Sequence, residues 1–116
     1  MTKLKYLVRQ FFSKAMKRIG LFFIIVFLNN QVLADDKMEL GLKVYNEEAM
    51  CGTCHTLKSA KSNGNIGPNL DQLKPSIEQI EYVVKYGKGV MQAWDGILTE
   101  EEIQAVAYYV FTNTNE

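Results

Sequence analysis

Residues 51–55 read Cys51-Gly52-Thr53-Cys54-His55, two cysteines separated by two residues and followed directly by a histidine. They are the chain's only two cysteines and its only histidine. Cys-x-x-Cys-His is the attachment sequence for c-type haem: each thiol forms a thioether with one vinyl group of the porphyrin, and the adjacent imidazole ligates the iron. The motif therefore predicts one covalent haem c, held by Cys51, Cys54 and His55.

Three other uses of a cysteine pair fit this chain less well. A thioredoxin-type redox dithiol belongs to a βαβ context, and the sequence shows no such pattern. A zinc site needs a fourth ligand, and no further Cys or His is present. A disulfide between Cys51 and Cys54 accounts for both cysteines but leaves His55 unexplained.

Charged residues are segregated along the 116-residue chain. Thirteen Lys and Arg balance thirteen Asp and Glu, so the formal net charge is zero. Residues 1–34 hold six of the basic residues and no acidic one, which leaves residues 35–116 with a net charge of −6. The length accommodates one small domain and excludes a large multidomain enzyme. The charge balance excludes a basic nucleic-acid binder.

The first segment has the order of a secretory signal peptide. A basic stretch ends at Arg18, an apolar run follows over residues 19–28, and Val32 and Ala34 place small side chains where a signal peptidase reads. This run is shorter than the roughly 20 apolar residues that a helix needs to cross a bilayer. We therefore expect residues 1–34 to be removed and residues 35–116 to form the domain that acts in the periplasm. The alternative is an uncleaved membrane anchor.

Helical patterns dominate residues 35–116, and we find no alternating run long enough to indicate a strand. Capping boxes predict three helix starts: Asp36 with Glu39, Ser76 with Gln79, and Thr99 with Glu102. The first helix is expected over 37–48, and the second is expected to end at Gly87. Polar residues 58–65 and glycine-rich residues 87–96 predict loops. The sequence therefore predicts an all-α domain of three to four short helices.

Such a small domain with long loops buries too little apolar surface for a strong core of its own, so we expect the haem to fill its middle. Since His55 is the only histidine, a second axial ligand has to be another residue type. Met50 adjoins Cys51, and Met38 lies in the first predicted helix. Met91 lies in the glycine-rich loop, with enough chain after His55 to pass around the haem edge. We predict Met91 as the second ligand.

With these residues in place, the chain resembles the class I c-type cytochromes, particularly small bacterial single-haem carriers and the cytochromes of photosynthetic electron transport. The resemblance covers residues 35–116. It rests on the haem motif, on Gly67-Pro68-Asn69-Leu70, on the loop from Met91 to Gly96 with Trp94, on Gly41 and Val44-Tyr45, and on the final segment from Leu98 through Tyr108-Tyr109-Val110.

The resemblance implies the class I cytochrome c fold wrapped around one haem. It implies that the carbonyl of Pro68 accepts a hydrogen bond from Nδ1 of His55, that Leu70 packs on the haem, and that Trp94 lies near a propionate. It also implies that Gly41 and Tyr45 meet Tyr108 and Tyr109 where the first and last helices cross. One position departs from the family: Gln92 follows Met91, where such cytochromes often have a proline that stiffens the loop.

Haem with both axial positions closed favours outer-sphere electron transfer and no enzymatic activity. The charge of −6 predicts docking to basic patches on redox proteins, with no nucleic acid or small-molecule substrate. We expect a monomer that contacts membranes only through partner complexes or an uncleaved leader. Two alternatives are the haem-bearing subunit of a periplasmic dehydrogenase complex and a five-coordinate haem that acts as a ligand sensor or weak peroxidase.

Overall fold

The computed structural model describes residues 2–115, and within that range the side chains of residues 3–20 and 33–115. Its two compact units are Met1–Ala34 and Asp35–Glu116. Residues 21–28 of the predicted apolar run and Val32 of the predicted cleavage motif lie outside the described side chains. In the part of the chain that the structure describes, no helix is long and apolar enough to span a membrane.

Helices dominate the described chain. In order, its elements are α1 (Thr2–Lys43), a π-helical turn (Val44–Glu48), a 3₁₀ turn (Cys51–Thr53), β1 (Thr56–Leu57), β2 (Ser62–Asn63), α2 (Leu70–Leu73), α3 (Ile77–Tyr86) and α4 (Glu100–Asn115). The predicted all-α class is confirmed, since the two strands contain only two residues each.

Two of the three predicted capping boxes form and begin α3 and α4. At α3, Oγ of Ser76 accepts a hydrogen bond from the Gln79 N–H at 3.3 Å, and Oε1 of Gln79 accepts one from the Ser76 N–H at 3.0 Å. Thr99 and Glu102 exchange the equivalent bonds at 3.2 and 2.7 Å. These reciprocal bonds satisfy N–H groups that have no partner within the helix, so the helix starts follow from local sequence.

The prediction that a helix begins after Asp36 is wrong for the full chain. Helix α1 runs through this position to Lys43, and the π-helical turn then carries the chain to Glu48. A cap is needed only where backbone N–H groups lack carbonyl partners in a preceding turn. Residues after Asp36 have such a turn as long as residues 1–34 are attached.

The predicted loop over 58–65 is also corrected. Its residues Ser62 and Asn63 form β2, which pairs antiparallel with β1 so that Thr56 lies opposite Asn63 and Leu57 opposite Ser62. Strands of two residues leave no period for sequence analysis to detect. A further short element, α2, was missed as well; the Asn69 side chain caps it by accepting from the Gln72 N–H at 3.3 Å.

The core lies between α3, α4 and the segment that precedes the haem motif. The buried apolar cluster comprises Val44, Tyr45, Ala49, Leu57, Ile80, Val84, Leu98, Ile103, Val106, Ala107, Tyr109 and Val110. It draws Ile80 and Val84 from α3 and Ile103, Val106, Ala107, Tyr109 and Val110 from α4. At the crossing with α4, Gly41 is buried against Ala105 and Tyr109. The ring centroids of Tyr45 and Tyr109 lie 6.1 Å apart. Tyr108 is half-buried, and the Lys37 ammonium lies over its ring.

Candidate haem site

The Cys-x-x-Cys-His segment folds into a tight turn. Met50 enters it with a left-handed φ of 47°. The N–H groups of Cys54 and His55 then both donate to the carbonyl of Cys51, at 3.1 and 2.9 Å. Both cysteines are half-buried and free, so the disulfide that sequence analysis weighed is not formed. Before a haem is attached, burial raises the pKa of the Cys51 thiol to about 11.

The imidazole of His55 is oriented by a backbone carbonyl. Its Nδ1 lies 2.8 Å from the oxygen of Pro68, which is the contact that the resemblance implied. Because a carbonyl only accepts, Nδ1 carries the proton and Nε2 keeps its lone pair for a metal. The Gly67 N–H donates to the carbonyl of Cys54 at 2.8 Å and ties the Pro68 segment to the motif.

Two glycines let the chain pass very close to the motif. A Cβ atom on Gly67 would overlap Cε1 of the His55 ring and lie 2.8 Å from its Nδ1. A Cβ atom on Gly64 would overlap the backbone of Cys54 and lie 2.6 Å from the nitrogen of His55. Real Cβ atoms essentially never approach heavy atoms this closely, so both positions need glycine. No pattern in the sequence indicated this packing role.

Two tyrosine hydroxyls anchor the polar segment that follows the motif. The Tyr45 hydroxyl lies 3.1 Å from Oγ of Ser62 and donates toward the carbonyl of His55 at 3.4 Å. The Tyr109 hydroxyl lies 3.1 Å from Oγ of Ser59. Burial raises the pKa of Tyr45 to about 12, so the hydroxyl stays protonated and able to donate. No sequence pattern singled out the two serines, since their partners are many residues away.

The structure places the three methionines of residues 35–116 in different surroundings. The Met38 sulfur accepts a hydrogen bond from Nδ2 of Asn113 at 3.8 Å, near the end of α4. Met50 is 61% exposed. Met91 is half-buried and packs against the core cluster, and its N–H and C=O both bond to Lys88.

The chain's residues fit a c-type haem. They supply two free thiols one turn apart and an imidazole whose Nδ1 is already bonded, which leaves Nε2 available to iron. Four of the predicted haem contacts are only partly covered and border the same apolar core: Cys51, Leu70, Met91 and Trp94. An apolar wall with half-covered side chains is the lining that a bound porphyrin requires.

The family comparison agrees with this geometry. A family model described as cytochrome c oxidase, cbb3-type, subunit III, matches residues 36–110. The chain belongs to this family of class I c-type cytochromes. Its Cys51 and Cys54 are accordingly the attachment points of one covalent haem c.

Individual relatives point to the same kind of cytochrome. Cytochrome c6 of Tetradesmus obliquus is 37% identical over 83 residues, which cover 63% of this chain and 89% of the relative. Cytochrome c6 of Euglena gracilis is 41% identical over 75 residues, 53% of this chain and 78% of the relative. The c-type cytochrome SorU of Sinorhizobium meliloti has a similar crystal structure, with a TM-score of 0.66 and 46% identity over 71% of this chain and 95% of that one. The chain described here therefore works by haem-based electron transfer and is not an enzyme.

Proposed function

We propose that the chain is a single-haem electron carrier with His55 and Met91 as its axial ligands, shuttling electrons between periplasmic or membrane-bound redox complexes. The surroundings of the methionines carry this proposal. The Met38 sulfur is engaged by Asn113, and Met50 adjoins Cys51 and is largely exposed. Met91 is partly buried beside the core and lies in the glycine-rich loop between α3 and α4.

The protein's own residues hold the site constant during electron transfer. The carbonyl of Pro68 fixes the His55 ring through Nδ1, and the motif turn fixes the two sulfurs. Leu70 and Trp94, packed on the core, would limit access of water. When bound, a c-type haem supplies a one-electron couple, and a thioether opposite imidazole raises its potential relative to two imidazoles. A site that reorganises little suits rapid transfer between partners.

The Met91→Ala variant tests the ligand assignment. We expect unmutated ferric protein to be low-spin with the charge-transfer absorption of an iron–methionine bond, and the variant to lose that absorption and become high-spin. The reduction potential of the variant should be lower than that of the unmutated protein, by a sizeable part of the roughly 0.8 V over which different axial ligands vary the potential of haem. Absorption spectra and redox titration measure both, with Met50→Ala as the matched control.

Two spectroscopic outcomes contradict the carrier proposal. High-spin ferric haem in the unmutated protein would favour the five-coordinate sensor or weak peroxidase. Loss of the iron–methionine absorption in Met50→Ala, with the Met91→Ala spectrum unchanged, would identify Met50 as the ligand instead of Met91. Co-purification with a catalytic subunit at high salt would instead favour the dehydrogenase subunit.

The separation of charge along the chain supports a proposal about its location and partners. We propose that residues 1–34 are removed on export and that the remaining domain, with its charge of −6, docks on basic patches of redox proteins. The exported protein should then have the mass of residues 35–116 plus one haem, and its electron transfer to the partner should slow as ionic strength rises. Mass spectrometry measures the mass and stopped-flow kinetics measures the rate. An intact Met1 would contradict removal of residues 1–34, and a salt-independent rate would contradict docking on basic patches.

A further inference from the structure

The connection between α3 and α4, residues 87–99, carries Met91 and is called the Met91 loop below. Its three glycines, Gly87, Gly89 and Gly96, all have positive φ, at 72°, 60° and 75°. Such a loop has high conformational freedom in the unfolded chain. Gln92 also occupies the position where a proline often stiffens related loops. Besides the two backbone bonds between Lys88 and Met91, contacts with the adjoining helix ends are therefore needed to hold Met91 in place.

The backbone closes the loop onto the end of α3. The Gly87 N–H donates to the carbonyl of Val83 at 2.8 Å, as at any helix end. The chain then leaves, passes Met91 and returns, and the N–H groups of Trp94 and Asp95 donate to the carbonyls of Val84 and Lys85 at 3.0 and 3.1 Å. The returning segment of the loop thus supplies partners for two of the last carbonyls of α3, which have none inside the helix.

Lys85 holds the loop a second time through its side chain. Its ammonium lies 2.7 Å from Oε2 of Glu100, the first residue of α4. A cation in the last turn of α3 and an anion in the first turn of α4 are each favoured by the helix dipole. The hydrogen bond between them raises the pKa of Lys85 and lowers the pKa of Glu100, so both are ionised at neutral pH.

We propose that Lys85 is a positioning residue for Met91: paired with Glu100, it joins the two ends of the Met91 loop and slows release of the methionine sulfur. This inference rests on the proposed ligation by His55 and Met91. The pair spans the two helix ends between which the loop opens, and the carbonyl of Lys85 accepts from Asp95 inside the same loop. The Lys85–Glu100 pair thereby substitutes for the stiffness that a proline at residue 92 would supply.

The expected effect is modest because the pair is partly exposed, with 29% of the Lys85 and 59% of the Glu100 side chain accessible. Ion pairs of this kind change equilibria and rates about two- to fivefold. Release of the sulfur can be timed by adding excess imidazole to the ferric holoprotein. At saturating imidazole, the binding rate is limited by how often Met91 leaves.

Lys85→Met and Glu100→Gln should each raise this limiting rate about two- to fivefold at low salt, and the double variant should be no faster than either single one. High salt should bring the unmutated protein close to the variants. Glu48→Gln is the matched control, because it removes the other Lys–Glu pair of the described domain, Lys43 with Glu48 at 2.9 Å, and leaves in place the Lys43 charge that acts on Glu102 at the start of α4. Its rate should equal that of the unmutated protein.

Amide hydrogen exchange gives a second reading that does not depend on the iron. In the Lys85→Met holoprotein, the Trp94 and Asp95 amides should exchange about two- to fivefold faster, while amides inside α4 stay unchanged. Unchanged rates and exchange in both single variants overturn the proposal, as do additive effects in the double variant or an equal effect in Glu48→Gln. A high-spin spectrum of the unmutated ferric protein would overturn the assignment of Met91 as a ligand. This result is seen before any variant is compared, so it is distinguished from failure of the Lys85 proposal.

Discussion

Gly67→Ala should cost the holoprotein about 2–4 kcal/mol and disturb the low-spin spectrum expected for the proposed His55 and Met91 ligation, because the new Cβ occupies space that the His55 ring now fills. That Cβ would overlap Cε1 and lie 2.8 and 2.9 Å from Nδ1 and Nε2. Either the ring or the segment around Pro68 has to move, and the 2.8 Å bond between them is then strained or lost. Such a bond orients the ligand, and its loss typically weakens metal binding 10- to 100-fold.

Urea unfolding and ferric absorption spectra measure this result. Gly89→Asn is the matched control: Gly89 has a φ of 60°, which asparagine tolerates, and a Cβ there meets nothing within 4 Å. We expect the control to change stability by a few tenths of a kcal/mol and to leave the spectrum unaltered. A Gly67→Ala protein as stable as the unmutated one, with the same spectrum, would show that the Pro68 segment yields without cost.

Gly41→Ala should destabilise the domain by about 1–3 kcal/mol, the usual cost of overpacking a tight contact. A Cβ at residue 41 would overlap the carbonyl oxygen of Ala105 and lie 2.5 Å from Cβ of Tyr109 and 2.9 Å from the carbonyl carbon of Ala105. Two of these three atoms are backbone atoms, so relief requires α1 and α4 to separate. Separation would also disturb the Tyr45–Tyr109 contact beneath the motif.

The sign of the Gly41 result separates packing from helix propensity. Alanine is favoured over glycine in a helix interior by about 1 kcal/mol, so propensity alone predicts that Gly41→Ala is stabilising. Urea unfolding of the exported holoprotein gives the sign directly, and Ser62→Ala offers a useful comparison, because it removes the Tyr45 hydroxyl contact without moving a helix. Increased stability of Gly41→Ala would mean that the helices accommodate the methyl group.

Local sequence was sufficient to predict the starts of α3 and α4 but not the start of the first predicted helix. The Ser76–Gln79 and Thr99–Glu102 capping boxes join residues three positions apart, and both are present. Asp36 and Glu39 have the same pattern, yet the helix does not begin there because a preceding turn already supplies the carbonyl partners. Whether a capping motif is used therefore depends on the chain before it. Removal of residues 1–34 would leave this motif at the new helix start.

By itself the sequence determined the covalent haem, the helical class of the domain and the starts of α3 and α4, since each depends on residues within one or two turns of one another. Only the tertiary structure decided that Gly67 abuts the His55 ring. The same holds for the hydrogen bond from Asn113 to the Met38 sulfur and for the ion pair between Lys85 and Glu100. These contacts join residues 12 to 75 positions apart. Interactions over such separations leave no periodicity in the sequence, because they arise only when folding brings distant segments together.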